Sequence, residues 1–218
     1  MDAVAHNRKA LRSFTFTLLS DGASDRALIP ALEWLLREHL VSDFQSQWAD
    51  LRWRHPPLRG LADRIEAALT LYPCDLLFIH RDGEGEPRER RVREIRESLP
   101  GSSAVTAVCV VPVRMQEAWL LFDEAAIRRA ADNPQGRMPL KIPALERLEE
   151  LPDPKKVLWS LLAEASGLRP GRLRRFSPAP RIHRVAELIR DFSPLRRLPA
   201  FQLLEDDLKT VLAERDGL

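Results

Sequence analysis

The run Asp75-Leu76-Leu77-Phe78-Ile79-His80, followed at once by Arg81-Asp82-Gly83-Glu84-Gly85-Glu86-Pro87, decides how the chain folds. Four consecutive large apolar residues between polar flanks read as a short strand buried on both faces, as in the centre of a parallel sheet. The loop after it holds three acids, two glycines and a proline and cannot continue the strand. Two further apolar runs end in the same way. Phe14-Thr15-Phe16-Thr17-Leu18-Leu19 leads into Ser20-Asp21-Gly22-Ala23-Ser24-Asp25, and Ala107-Val108-Cys109-Val110-Val111-Pro112-Val113 leads into Arg114-Met115-Gln116-Glu117. The carboxyl ends of parallel strands line one edge of an open α/β sheet, so acids far apart in sequence converge there. Converging carboxylates bind a hard cation.

Helical patterns separate these runs. Ala27, Leu28, Ala31, Leu32, Leu35 and Leu36 recur at spacings of three and four and predict a helix over residues 25–40. Leu61, Ile65, Ala68 and Leu69 predict a second over 58–71, with Leu51-Arg52-Trp53-Arg54 expected as an edge strand between them. Residues 75–80 are the expected central strand and 104–113 the third. Between them, residues 88–99 read as an exposed helix, because five arginines and three glutamates leave only Val92, Ile95 and Leu99 to bury. Residues 115–131 continue as helix. After Asn133 the pattern changes: Asn133-Pro134-Gln135-Gly136 and Met138-Pro139 break it, and helical segments follow at 144–151, 154–166, 182–191 and 200–215 without a strand-like run. The expectation is an α/β fold, a Rossmannoid parallel sheet over residues 1–132, with a helical C-terminal extension over 133–218 packed on it.

Composition excludes several classes. At 218 residues, 44% hydrophobic and 30% charged, the chain is an ordinary globule able to bury a sizeable core. No apolar stretch spans a bilayer and residues 1–12 lack the apolar centre of a signal peptide, so the expected location is the cytoplasm, with no membrane association. Cys74 and Cys109 lie in or beside strand-like runs with no metal-ligand spacing and read as buried thiols. The net charge of +2 implies little, but its distribution implies more. From 168 to 184 the chain carries Arg169, Arg172, Arg174, Arg175, Arg181 and Arg184, interleaved with Phe176 and His183 and with no acid. Such a stretch can neutralise nucleic-acid phosphates, DNA or RNA, whatever the base sequence.

A strand, an acid-Gly turn and a helix, then a strand and an acid-x-acid loop, resemble the Toprim superfamily. The branch resembled is that of the OLD-type nucleases and their small standalone relatives, often encoded beside ABC-type or SMC-like ATPases. The resemblance covers about residues 14–125, and the helical tail is similar to the small relatives alone. It gives Asp21 the place of the first-motif acid, usually glutamate, Asp25 that of the second acid, and Asp82 and Glu84 those of the Asp-x-Asp pair. Glu117 resembles the acid after the third strand. The implied function is a Mg²⁺- or Mn²⁺-dependent nuclease acting in bacterial anti-phage defence with an ATPase partner. Asp21, Asp25, Asp82, Glu84 and Glu117 are the implied metal ligands, with Asp21, Asp82 and Glu84 catalytic. A cation for the phosphate transition state is expected from Lys155, or Lys156, in Asp153-Pro154-Lys155-Lys156. Tyr72, the only tyrosine, lies at a helix end, which argues against tyrosine-based strand transfer.

The same residues admit plainer readings. Asp21 or Ser24 can be a helix cap, residues 82–86 a solvated turn, and Glu117 a first-turn acid facing a helix dipole. His80 reads as a structural hydrogen-bonding residue, and the basic run as a solvated loop. The Asp/Glu exchanges at 21 and 84 also suit a degenerate Toprim-like module that binds a partner protein or nucleic acid without cleavage.

Overall fold

The computed structural model describes residues 14–101 and 105–216. Strands β1 (Phe14–Leu19), β2 (Phe44–Trp48), β3 (Leu76–His80) and β4 (Ala107–Val110) form one sheet in the order β2-β1-β3-β4. Every pairing is parallel, with Phe16 opposite Ser46 on one side and Leu76 on the other. The winding reverses between β1 and β3, the place where open α/β sheets form a ligand crevice. The fold is α/β and Rossmann-like, with a helical C-terminal extension.

Strand side chains alternate between the faces, and each face has its own core. Phe16, Leu18, Leu76, Phe78, Val108 and Val110 enter one. Leu19, Leu77, Ile79, Cys109 and Val111 enter the other, covered by α2 (Leu61–Leu71) and α3 (Arg88–Ser98) through Ile65, Ala68, Val92 and Ile95. The first face meets α1 (Ile29–His39) and the C-terminal helices. These are α4 (Glu124–Ala130), α5 (Pro154–Ala165), α7 (Arg181–Leu188) and α8 (Pro199–Asp216), of which α8 packs on β4, while the short α6 (Pro170–Leu173) between α5 and α7 is exposed. Phe14 and Leu212 thereby belong to one core. With about 1.5–3 kcal/mol for each large apolar side chain withdrawn from water, that shared core ties the extension to the sheet.

Several expected elements move. Residues 51–54 are not a strand; the edge strand is β2, whose Phe44-Gln45-Ser46-Gln47-Trp48 is half-buried because it pairs on one side only. The helix expected over 115–131 is two pieces, a 3-10 turn (Gln116–Leu120) and α4, because the Asp123 carboxylate accepts the Ala126 N–H at 2.9 Å and starts a new helix. The helix over 25–40 opens as a 3-10 turn (Ala23–Leu28) before α1, and 144–151 is also a 3-10 turn (Leu145–Glu150). Residues 1–12 and the expected first residue of the third strand, 104, lie outside the described residues. Among the described residues no strand follows residue 133, and no helix is long and apolar enough to cross a membrane. Cys109 is buried and Cys74 half-buried, both free, and burial raises both thiols above their ordinary pKa, as inert core cysteines require.

Candidate functional site

β1 ends at Leu19, and the chain turns over the sheet edge through Ser20, Asp21 and Gly22. Asp25, 6% exposed, folds back to accept the Gly22 N–H at 2.8 Å and the Ser24 hydroxyl at 3.1 Å, which closes the first 3-10 turn. Gly22 itself is extended and a side chain there would meet only ordinary contacts. β3 ends at His80, 2% exposed, whose ring carries a carboxylate on each side. Asp25 Oδ2 lies 3.5 Å from Nδ1 and Asp82 Oδ1 lies 3.2 Å from Nε2, ion-pair distances that are off the line of a hydrogen bond. Burial disfavours an imidazolium, but Asp25 and Asp82 outweigh it and push the His80 pKa up to about 9. Burial likewise works against the Asp25 carboxylate, yet His80 and the Gly22 N–H bring its pKa below the ordinary value.

The third junction supplies Glu117, 1% exposed, from the 3-10 turn after β4. Lys155 Nζ stands 3.1 Å from its Oε1. Asp153 caps α5 by accepting the Lys156 N–H at 3.0 Å, and Pro154 fills the first helical position, which sets Lys155 in the first turn facing the sheet edge. Lys156 instead pairs with Asp153 at 2.9 Å. Burial raises the Glu117 carboxyl above its usual value and Lys155 offsets this only in part. Burial also works against the Lys155 ammonium, but Glu117, Asp82 and Asp25 raise its pKa further, so it remains charged. Of the residues proposed from the sequence, Asp25, Asp82, Glu117 and Lys155 are brought together, and His80 and Gln116 join them. The Gln116 amide N–H donates to the Ser24 carbonyl at 3.4 Å and ties this turn to that of Asp25.

Asp21 and Glu84 sit at the same edge but turn to arginines. Asp21 is gripped by Arg64 and by Arg81, the latter at 2.6 Å. Glu84 adopts a left-handed backbone, φ 54°, and its exposed carboxylate meets Arg91 at 2.7 Å. The cause is the loop: the N–H groups of Gly83, Glu84 and Gly85 donate to the carbonyls of Pro112, Arg114 and Val113 at 3.0, 3.2 and 3.0 Å. Gly83 is required, since a Cβ there would lie 2.5 Å from the Pro112 and Val113 oxygens. The alternating pair that faces the cluster is therefore His80 and Asp82, with Arg81 between them pointing to Asp21. His80, expected only as a structural hydrogen-bonding residue, instead stands between two carboxylates, and its position two residues before Asp82 is the signal that could have placed it in the site.

Whether a divalent cation suits these residues turns on unsatisfied oxygens. Asp82 Oδ1, Gln116 Oε1 and Glu117 Oε1 are buried without a hydrogen bond, and oxygen donors are what Mg²⁺ takes. The donor chemistry fits. Among the described residues, however, no three acids, histidines or cysteines form a ready metal-holding group. Positive charge at this point comes from His80 and Lys155.

In the basic run, Arg172 lies in α6 and Arg169, Arg174 and Arg175 flank it, all exposed and without an acid partner among the described residues. Arg181 and Arg184 instead share Asp132, each at 2.6 Å, and the Arg181 guanidinium lies 4.6 Å from the Phe176 ring centre. α7, which follows the run, packs on the 3-10 turn that holds Asp25. No protein-family model matches the chain, and comparisons with curated proteins and with solved structures give no match.

Proposed function

We propose that this chain is a Mg²⁺-dependent phosphodiesterase of the nuclease type. The observation that carries the reading is the pair of buried carboxylate oxygens on Asp82 and Glu117 that lack an aligned hydrogen bond and have only the cations His80 and Lys155 as close partners, at the sheet edge where the winding reverses between β1 and β3. Asp82 and Glu117, with Asp25, would hold the cation, which when bound supplies charge neutralisation and an activated water for phosphodiester attack. Lys155 offers its ammonium to the phosphate oxygens, where charge grows in the transition state. His80 faces Asp25 and Asp82 with its two ring nitrogens and helps hold the Asp25 carboxyl below its ordinary value. Asp21 and Glu84 hold the surrounding arginines in place, and the arginines at 169, 172, 174 and 175 draw in the phosphate backbone.

The experiment is cleavage of DNA, RNA and transfer RNA with Mg²⁺ or Mn²⁺, for wild type and Asp82→Asn. Cleavage should need the metal and vanish in the variant, whose melting temperature falls by a few degrees because His80 loses one of its two carboxylates. Cleavage that persists in excess chelator sinks the reading. A second reading, a module that binds nucleic acid or a partner protein without cutting, is favoured by the internal cations His80 and Lys155 and by the lack, among the described residues, of a ready three-ligand group. Tight binding with no cleavage under any metal selects it. The wider role proposed rests on the Toprim resemblance: a cytoplasmic effector of anti-phage defence restrained by an ABC- or SMC-like ATPase, tested by co-purification with the products of neighbouring genes.

A further inference from the structure

The loop after β2, Leu51-Arg52-Trp53-Arg54-His55-Pro56-Pro57-Leu58-Arg59, has no part in the acid cluster, yet it borders the same sheet edge. It walls a cavity of about 300 Å³ whose other side is Ser20, Asp21 and Arg64. Trp48 closes that cavity and also walls a second, of about 620 Å³, that reaches Arg26 next to Asp25. Trp48 is the residue that both cavities share, and the Arg52 guanidinium lies 4.9 Å from its ring centre. Trp53 is 59% exposed, with the Arg54 guanidinium 5.9 Å from its ring centre. Arg54 and Arg59 have no acid partner among the described residues, whereas Arg52 is held by Asp50 and Arg64 by Asp21. An exposed indole and unpaired guanidinium groups beside a cavity at the carboxyl edge of the sheet form the combination that binds unpaired nucleotides: rings stack on bases and arginines meet phosphates. A duplex keeps its bases stacked on one another and offers this indole nothing.

We propose that this loop receives a single-stranded nucleic acid, with Trp53 as the stacking platform and Arg54 and Arg59 as phosphate contacts, the strand passing Trp48 toward the acid cluster. The inference rests on the phosphodiester reading of that cluster and names its substrate as unpaired. The test is fluorescence anisotropy of the full chain in EDTA, which removes metal-dependent cleavage, with labelled oligodeoxythymidine and an abasic strand of the same length. Trp53→Ala should weaken oligodeoxythymidine binding by about tenfold, Trp53→Phe by much less, and neither should alter binding of the abasic strand. Arg54→Ala with Arg59→Ala should lower the log–log salt slope by about 1.4, two contacts at ~0.7 each for a single strand. Unchanged oligodeoxythymidine binding by Trp53→Ala, or an equal loss on the abasic strand, overturns the proposal, and the latter reassigns the loop to a general acidic partner. Binding that depends on Trp53 in a chain that never cleaves sinks hydrolysis and leaves the strand site standing. Metal-dependent cleavage that Trp53→Ala does not affect, with unaltered binding, does the reverse.

Discussion

His80 and the Glu117–Lys155 pair are buried charges whose behaviour follows from their neighbours. The His80 pKa, about 9 against an ordinary 6.5, means that folding strengthens proton binding. By linkage its contribution is complete below pH 6.5 and is lost as pH rises through about 9, on the order of 3 kcal/mol. Urea midpoints should therefore fall across that window for wild type and fall less for His80→Gln; parallel curves would show that the folded state does not hold the proton. Lys155 is a third exposed while Glu117 is not, so removing the lysine strands a buried acid. Lys155→Met should lower stability by about 1–3 kcal/mol, less than for a wholly buried pair because water screens the ammonium. Adding Glu117→Gln should restore most of that in urea denaturation while leaving cleavage abolished. If the double variant is no more stable than the single one, the pair is not what holds the turn after β4 against α5. Asp25, Asp82, Glu117 and Lys155 were legible in the sequence because each follows a strand or opens a proline-marked helix. The diversion of Asp21 and Glu84 was not, because Arg64, Arg81 and Arg91 reach them from elements that only the fold brings close.

At the scale of elements, strands buried on both faces and helices with a clean apolar stripe were readable. β1, β3, α2 and α3 lie within a few residues of where periodicity puts them. β2 was not readable, because an edge strand with three polar residues in five lacks an apolar signal, and the neighbouring Leu51-Arg52-Trp53-Arg54 offers a stronger but misleading one. Gln116 and Glu117, expected within a continuous helix over 115–131, instead lie buried in a separate 3-10 turn. The loop after β3 holds the cluster together by backbone contact, and Gly83 makes that contact feasible. Gly83→Ala sets a methyl 2.5 Å from two carbonyl oxygens that cannot rotate away, so the loop must lift. Thermal melting should report a loss of roughly 1–3 kcal/mol, with cleavage reduced because Asp82 moves with the loop. A variant as stable and as active as wild type would show that the loop is not strapped to the residues after β4.

Across the whole molecule, two basic surfaces differ in chemistry. One is the loop after β2, where an exposed indole accompanies the arginines; the other is the run around α6, where four arginines stand exposed with no unpaired ring of that kind. α7 joins the second surface to the first 3-10 turn, so the shared core fixes its distance from Asp25. The two surfaces should therefore contribute separable terms to nucleic-acid binding. Replacing Arg172, Arg174 and Arg175 with alanine should reduce the log–log salt slope by about 2.1 on a single strand or about 2.7 on a duplex, three contacts at ~0.7 or ~0.9 each. Base dependence should not change. Trp53→Ala should do the opposite, lowering affinity for base-bearing strands at an unchanged slope, and the quadruple variant should combine both losses additively because the two surfaces share no contact. Titrations at several salt concentrations decide this. A triple variant with the wild-type slope removes the α6 run from the nucleic-acid path, and if binding to a co-purified ATPase is lost at the same time, the run is a regulatory docking surface.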